Sequence, residues 1–146
     1  MTLRAGGTLR IVPRHDLTPM EISGIEDNLY AHNRVATGKE DGQWLGFALL
    51  AADGAMFGTV AGYTWAGMAE LKQMWVDAAY RGQGYGRALL DAAIAEAAAR
   101  GATRIWVTSY SFQAPGLYER AGFQRMAELP DWPPGHSNVI FCKVLA

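Results

Sequence analysis

The chain has 146 residues, of which 50% are hydrophobic and 18% are charged, and its net charge is −1. This length allows one domain with a single hydrophobic core, and the composition is that of a globular protein and not of a disordered one. A nucleic-acid-binding protein would normally show an excess of Lys and Arg, so that class is disfavoured. The one cysteine, Cys142, excludes an internal disulfide bond and a cysteine-rich zinc site.

No segment approaches the roughly 20 consecutive apolar residues of a membrane span, and the N-terminus has no secretion-signal pattern. We therefore expect a cytoplasmic protein that forms one domain over residues 1–146, with residues 1–8 disordered. The three histidines, His15, His32 and His136, are dispersed without metal-ligand spacing, so no metal is expected.

The first part of the chain predicts a short strand followed by a helix. Leu9–Pro13 is a short apolar segment and is predicted to be a strand. Thr18 is a helix N-cap candidate, Pro19 suits the first helical position, and Glu21 completes a capping box. Apolar residues then keep helical spacing to about Arg34.

Three strands in meander order come next. Trp44–Ala52 and Met56–Trp65 are joined by a segment containing Asp53-Gly54, which is a strong hairpin signal. Met68–Val76 is the third strand, and a glycine-rich segment separates it from a long helix that ends near Arg100.

The rest of the chain adds strands and a short helix: a strand Arg104–Ser109, a helix Pro115–Ala121, and strands Phe123–Leu129 and Val139–Val144. The connection through a helix makes Arg104–Ser109 parallel to Met68–Val76. The order β-α-β-β-β-α-β-α-β-β predicts an α/β (α+β) fold, with one mixed sheet of six to seven strands and helices on both faces.

The clearest chemical signal is the glycine-rich segment Arg81–Arg87, R-G-Q-G-Y-G-R, between a strand and a helix. Glycines allow sharp turns and close approach of a ligand, and a helix start offers unpaired N–H groups with partial positive charge. This arrangement suits a phosphate or pyrophosphate. The spacing G-x-G-x-G differs from the dinucleotide-binding pattern, and no Gly-Lys-Ser/Thr of a P-loop is present. The alternative is a tight turn that binds no ligand.

Arg81–Gly86 resembles the acyl-CoA pyrophosphate loop, R-x-x-G-x-G, of the GNAT N-acetyltransferase family. Ala114–Phe123 is similar to a second family segment, A-x-x-x-Y-x-x-x-G-F, and it lies in the same order along the chain. The resemblance extends from Leu9 to Val144. It implies a single GNAT domain in which the parallel strands Met68–Val76 and Arg104–Ser109 splay apart to hold acyl-CoA.

The resemblance also implies which residues bind the cofactor. The pantetheine arm would pair with the end of the strand Met68–Val76 and contact two residues that follow the strand Arg104–Ser109. One of them, Ser111, stands where many relatives have asparagine. The pyrophosphate would sit on N–H groups of the glycine-rich segment. The implied set is Met74, Trp75, Val76, Arg81, Gly82, Gln83, Gly84, Tyr85, Gly86, Arg87, Ser111 and Ala114.

Two residues are candidates for catalysis. Tyr118 matches the family tyrosine that protonates the departing thiolate, and a phenol with a pKa near 10 is protonated at neutral pH. Alternatively, Tyr118 packs under the sheet with its hydroxyl bonded locally. Glu70 could act as a base through a water molecule, but it could equally pair with Lys72 on the same strand face.

The function that these residues predict is transfer of an acetyl group from acetyl-CoA directly to an amine. The acceptor, a small-molecule amine or a peptide or protein amine, is not readable from the sequence. Homodimers are common among similar proteins and are compatible with this one. The alternatives are a non-catalytic acyl-CoA-binding module and a protein-interaction domain. Tyr118 discriminates between them, because a mere binder has no chemical need for it.

Overall fold

A computed structural model describes residues 7–145, and its internal contacts divide the chain into two compact units, one up to Gly38 and one from Lys39 onward. Most of the predicted disordered segment, residues 1–6, lies outside the described residues. The assignment of a single domain to residues 1–146 stays a prediction. None of the described helices combines the length and the apolar composition needed to cross a membrane.

The first unit contains one helix, α1, Pro19–Thr37. The predicted capping box is present: the Thr18 hydroxyl accepts from the backbone N–H of Glu21 at 3.2 Å, and the Glu21 carboxylate accepts from the N–H of Thr18 at 3.4 Å. The helix continues past Arg34 to Gly38, whose φ of 70° forms a left-handed C-cap. Glycine reaches that conformation without a steric penalty, so it sets the end of the helix.

The prediction of a strand at Leu9–Pro13 is wrong, because these residues have no regular secondary structure. An apolar segment becomes a strand only where a neighbouring strand completes its backbone hydrogen bonds, and composition cannot show whether that neighbour exists. In the described chain the order is therefore α-β-β-β-α-β-α-β-β, with six strands.

The second unit is one six-stranded sheet with two helices. The elements are β1 Gln43–Leu50, β2 Met56–Trp65, β3 Met68–Val76, α2 Tyr85–Ala99, β4 Arg104–Tyr110, α3 Pro115–Arg120, β5 Gln124–Pro130 and β6 Ser137–Val144. The strands follow the spatial order β1-β2-β3-β4-β6-β5, and every neighbouring pair is antiparallel except β3 and β4, which are parallel as predicted.

The core of this unit lies between α2 and one face of the sheet. The apolar stripe of α2, with Leu90 and Ala93 at its centre, is fully buried and packs against β1, β2 and β3. Val60, Ile105 and Phe141 contribute fully buried side chains from the sheet. Because both α2 and the central strands are fixed by this packing, the segment that joins them, from Asp77 to Gly84, is held at both ends.

A β-bulge in β3 interrupts its pairing with β2. Leu71 pairs with Gly62 on β2 whereas Gln73 pairs with Ala61, so Lys72 is the extra residue. Bulges bend a strand and increase its twist. On the other side of β3, pairing with β4 stops at Leu71 and Val107. The two parallel strands therefore diverge from this point onward.

Gly62 permits the bulge because the backbone of Glu70 approaches it closely. A Cβ at Gly62 would overlap the carbonyl oxygen of Glu70 and lie 3.0 Å from the Cα of Leu71. We predict that Gly62→Ala lowers the free energy of unfolding by about 1–3 kcal/mol, because the backbone of β3 must move. Urea unfolding followed by circular dichroism measures this change.

Gly46→Ala on β1 is the matched control, since a Cβ there meets its nearest neighbour, the carbonyl oxygen of Val60, at an ordinary 3.5 Å. We expect this variant to change stability by no more than about 0.5 kcal/mol. Equal stabilities of the two variants would show that the close approach at Gly62 has no energetic consequence.

Candidate active site

The divergence of β3 and β4 opens a cavity of about 780 Å³ between them. Its walls are the end of β3, the glycine-rich segment, the end of β4 and the beginning of α3. The residues predicted for the site that line this cavity are Met74, Trp75, Val76, Arg81, Gly82, Gly84, Tyr85, Gly86, Ala114 and Tyr118. The structure therefore brings ten of the predicted site residues together around one cavity. Glu70, Gln83, Arg87 and Ser111 are not among the lining residues.

The end of β3 presents a free backbone edge to this cavity. The N–H of Asp77 donates to the carbonyl of Phe57 on β2 at 2.7 Å. Along an antiparallel pair, successive residues direct their backbone groups alternately toward and away from the partner strand. Met74 and Val76 therefore direct theirs away from β2, toward the gap where β4 has departed. The carbonyl of Val76 already accepts from Nε of Arg81, so an extended ligand could form strand-like hydrogen bonds with the N–H and C=O of Met74 and with the N–H of Val76.

The glycine-rich segment adds a helix start whose backbone groups suit an anion. Gly82 and Gly84 have φ values of 73° and 89°, which side-chain-bearing residues rarely adopt. Gly84 is the N-cap of α2 and offers no side chain to bond the first-turn N–H groups. Those groups, on Tyr85 and Gly86, carry the partial positive charge of the helix start at the cavity wall.

The polar side chains of this segment divide between the cavity and the outside. Arg81 lines the cavity, and its Nε donates to the carbonyl of Val76 at 2.8 Å, which ties the loop to the end of β3. Gln83 donates to the backbone of the preceding turn, and Arg87 pairs with Asp91 one helical turn along α2 at 2.9 Å. The side chains of Gln83 and Arg87 therefore bond within the loop and α2, and not in the cavity.

Tyr118 is buried at the inner wall of the cavity, with 4% of its surface exposed. Its ring packs edge-on to Phe123 at 5.6 Å and against Phe141 at 5.8 Å between centroids. Its hydroxyl has no hydrogen-bond partner within residues 7–145, and it is not among their fully enclosed unpaired atoms. The ring thus packs as a core residue, whereas the hydroxyl remains open to the cavity.

Burial raises the pKa of Tyr118 above its ordinary value, because the phenolate is poorly solvated there. We predict that Tyr118 ionises at a higher pH than exposed tyrosines, which ionise at about pH 10. The tyrosinate absorbance of Tyr118 is obtained by subtracting the titration curve of Tyr118→Phe from that of the wild type. The group is then a proton donor at neutral pH. A midpoint at or below that of exposed tyrosines would contradict the burial effect.

Glu70 lies beside the cavity and not in its lining. Its carboxylate accepts a hydrogen bond from the hydroxyl of Tyr63, its neighbour across β2 and β3. Lys72 does line the cavity, and its Nζ lies 5.6 Å from the centroid of the Tyr63 ring. A proton could reach Glu70 from the cavity only through an intermediate group or water, so its role as a base stays a prediction.

Ser111 lies outside the cavity lining and bonds the beginning of β6, and its predicted contact with a ligand stays a prediction. Its hydroxyl accepts from the N–H of Ser137 at 3.1 Å, and its own N–H donates to the carbonyl of Ser137 at 2.8 Å, which extends the pairing of β4 and β6. Gln113, which the sequence analysis did not select, lines the cavity and accepts from the N–H of Tyr110 at 2.8 Å. Gln113 immediately precedes Ala114 in the sequence, and this position beside the second motif is the one signal that could have identified it.

Within residues 7–145, no three His, Cys, Asp or Glu side chains converge as metal ligands. The lining of the cavity offers the backbone edge of β3, the cations of Lys72 and Arg81, and four phenols, of which Tyr118 is the buried one.

Comparison with known proteins identifies the family. The model of the acetyltransferase (GNAT) family matches residues 11–123. The chain belongs to the GNAT acetyltransferase family. The resemblance to this family is thereby confirmed. The mixed six-stranded sheet and the solved structure described below confirm the predicted fold class, apart from the first strand.

Relatives of this GNAT acetyltransferase include two curated proteins. The acetyltransferase Atu2258 of Agrobacterium fabrum is 31% identical over 113 residues, which cover 77% of this chain and 82% of that protein. The blasticidin-S acetyltransferase of Streptomyces morookaense is 44% identical over 75 residues, which cover 49% of this chain. That match spans about half, 54%, of the Streptomyces protein.

A solved structure shares the whole fold. The crystal structure of an acetyltransferase from Bacillus cereus superposes with a TM-score of 0.76 at 28% identity, covering 92% of this chain and 98% of that one.

Proposed function

We propose that this GNAT acetyltransferase transfers an acetyl group from acetyl-CoA directly to a primary amine. The observation that carries the proposal is the position of Tyr118. Its unbonded hydroxyl opens into the same cavity as the free edge of β3 and the helix start at Gly84. A thioester held along the strand edge would have a proton donor beside its sulfur.

The cavity supports acetyl-CoA through two kinds of contact. The amide groups of the pantetheine arm are strand-like donors and acceptors, and they suit the backbone groups of Met74 and Val76 that face the gap. The pyrophosphate suits the N–H groups of Tyr85 and Gly86, with the guanidinium of Arg81 nearby. The cofactor would thus span the cavity from the loop to the inner wall.

The reaction needs one bond to form and one to break. The neutral amine attacks the thioester carbonyl carbon and forms the C–N bond; the C–S bond then breaks, and the thiolate takes the proton of the Tyr118 hydroxyl. The proton lost by the amine leaves toward Glu70 through water, and Tyr118 regains a proton from solvent or from that same path. No covalent enzyme intermediate is required, so Cys142 has no role.

The acceptor that we propose is a small-molecule amine. The name of the Streptomyces relative is the observation that favours this class, and blasticidin S is the first compound to test. A peptide or protein amine is the alternative acceptor. A cytoplasmic location and a homodimer stay predictions.

The second candidate function is acyl-CoA binding without catalysis. Glu70 lies outside the cavity lining, and no carboxylate of the described chain lines the cavity. This lack of a base beside the thioester favours binding without catalysis. Release of CoA thiol from acetyl-CoA in the presence of an amine panel tests the two functions. Amine-dependent release supports the transferase, whereas bound acetyl-CoA with no release above the uncatalysed rate supports the binding module.

We predict that Tyr118→Phe lowers kcat by about 100-fold or more, because the thiolate must leave without general-acid assistance. The ring that packs on Phe123 and Phe141 is kept, so the affinity for acetyl-CoA and the thermal unfolding midpoint should be unchanged. Steady-state kinetics and calorimetric titration measure these quantities. An unchanged kcat would remove Tyr118 from the reaction.

We predict that Gly84→Val weakens acetyl-CoA binding by at least tenfold. The substitution disturbs the left-handed conformation at the helix start and adds a side chain at the cavity wall. Calorimetric titration with acetyl-CoA measures the change.

Gly101→Val is the matched control at the other end of α2. Gly101 has a similar φ of 83°, and a Cβ would meet nothing within 4 Å at either glycine. The two variants should therefore lose similar stability while only Gly84→Val loses affinity. Equal affinity losses in both folded variants would refute an anion site at this helix start.

A further inference from the structure

Four aromatic side chains form a continuous surface beside the cavity, which we name the aromatic wall: Tyr110, Phe112, Trp132 and His136. Tyr110 and Phe112 are stacked, with centroids 5.3 Å apart and an angle of 10° between the rings. Trp132 meets Tyr110 edge-on at 5.3 Å, and His136 meets Phe112 edge-on at 5.1 Å. The wall combines the end of β4 with the loop between β5 and β6.

This wall joins the cavity to the protein surface. Tyr110 and Phe112 line the cavity, whereas Trp132 and His136 lie beyond it. Phe112 is 55% exposed and Trp132 is 49% exposed. Large apolar side chains that remain exposed together at the mouth of a cavity commonly mark a binding surface. The acetyl-CoA contacts proposed above use the loop and the edge of β3, so they leave this wall unassigned.

The chemistry of the wall selects for rings and not for charge. The rings of Tyr110 and Phe112 are parallel, and those of Trp132 and His136 stand across them, so an inserted ring could stack on one member and meet another edge-on. Aromatic pairs in such geometries gain more than their buried area provides. The nearby carboxylate of Asp131 already accepts from the N–H of Gly135 at 2.9 Å, and is engaged in its own turn.

A polar atom lies beside the wall. Oδ1 of Asn138 is enclosed and has no hydrogen-bond partner in the described chain. Asn138 pairs with Tyr110 across β4 and β6, and paired residues share a face of the sheet. Buried polar groups without partners are rare in native proteins and call for an explanation such as a bound water or ligand. A ring that carries an N–H or O–H donor would supply the missing partner once the amide adjusts.

We propose that the aromatic wall is the acceptor subsite and that the acceptor carries a planar aromatic or heteroaromatic ring a few bonds from its amine. The ring would rest on Phe112 and Trp132, and the amine would reach into the cavity toward the thioester. This inference rests on the proposed transferase function, because it needs an amine acceptor to occupy the site.

Two amines of equal carbon number and chain length test the proposal: 2-phenylethylamine and 2-cyclohexylethylamine, with rates expressed per unprotonated amine. We expect kcat/KM of the wild type to favour the aromatic amine by about 2- to 10-fold. Trp132→Leu should lower this ratio, because one of the two rings on which the acceptor would rest is removed. Trp44→Leu is the matched control, because Trp44 is 72% exposed on β1 and does not line the cavity, and it should keep the wild-type ratio.

A binding measurement separates this proposal from the transferase function. Calorimetric titration of the CoA-loaded protein with each amine reports the subsite without any turnover. Ring-selective binding that Trp132→Leu weakens, with no release of thiol from acetyl-CoA, would uphold the subsite and refute the transferase. Equal affinities and rates for the two amines, or a ratio unchanged by Trp132→Leu, would overturn the subsite. It would also be overturned if Trp132→Leu weakened the binding of acetyl-CoA, since the wall would then hold the cofactor.

Discussion

The constraint on which the site depends is the end of backbone pairing between β3 and β4 at Leu71 and Val107. Two parallel strands that stayed in register would satisfy each other's hydrogen bonds and leave no room between them. Instead, the bulge at Lys72 bends β3 away, and Gly62 accommodates the bent backbone. Beyond Leu71, the backbone groups of β3 that face β4 have no partner on that strand, and buried backbone groups need a hydrogen-bond partner. The exposed edge at Met74 and Val76 is therefore suited to a ligand that can bond like a strand.

Rigid packing places the other chemical groups around this gap. Leu90 and Ala93 anchor α2 in the core, which fixes the N–H groups at its start, and Phe123 and Phe141 fix the ring of Tyr118. An acyl-CoA bound along β3 would thus meet an anion site at one end and a phenol at the other without a large rearrangement of the protein. Such preorganisation is what electrostatic and general-acid catalysis require. The proposed proton acceptor, Glu70, is less directly placed, because its carboxylate lies outside the cavity lining and accepts a hydrogen bond from Tyr63.

Local signals in the sequence predicted much of this arrangement. Strands β2 and β3 have the predicted bounds, the capping box at Thr18 forms, and the glycine-rich segment opens α2 as expected. The strand wrongly predicted at Leu9–Pro13 depends on long-range pairing, which a single sequence does not display: the segment has strand composition but no strand conformation. The hydrogen bonds between Ser111 and Ser137 likewise join residues that are remote in sequence. The bulge at Lys72 and the aromatic wall also depend on contacts between residues that are distant in sequence, so a single sequence does not show them.

Amide hydrogen exchange with and without acetyl-CoA tests the central claim, that the free edge of β3 is the cofactor's binding strand. We predict that acetyl-CoA slows the exchange of the amides of Met74 and Val76, together with those of Tyr85 and Gly86 at the helix start. The amides of β1, which is remote from the cavity, should be unaffected. Saturating acetyl-CoA that leaves the exchange of Met74 and Val76 unchanged would contradict this mode of binding.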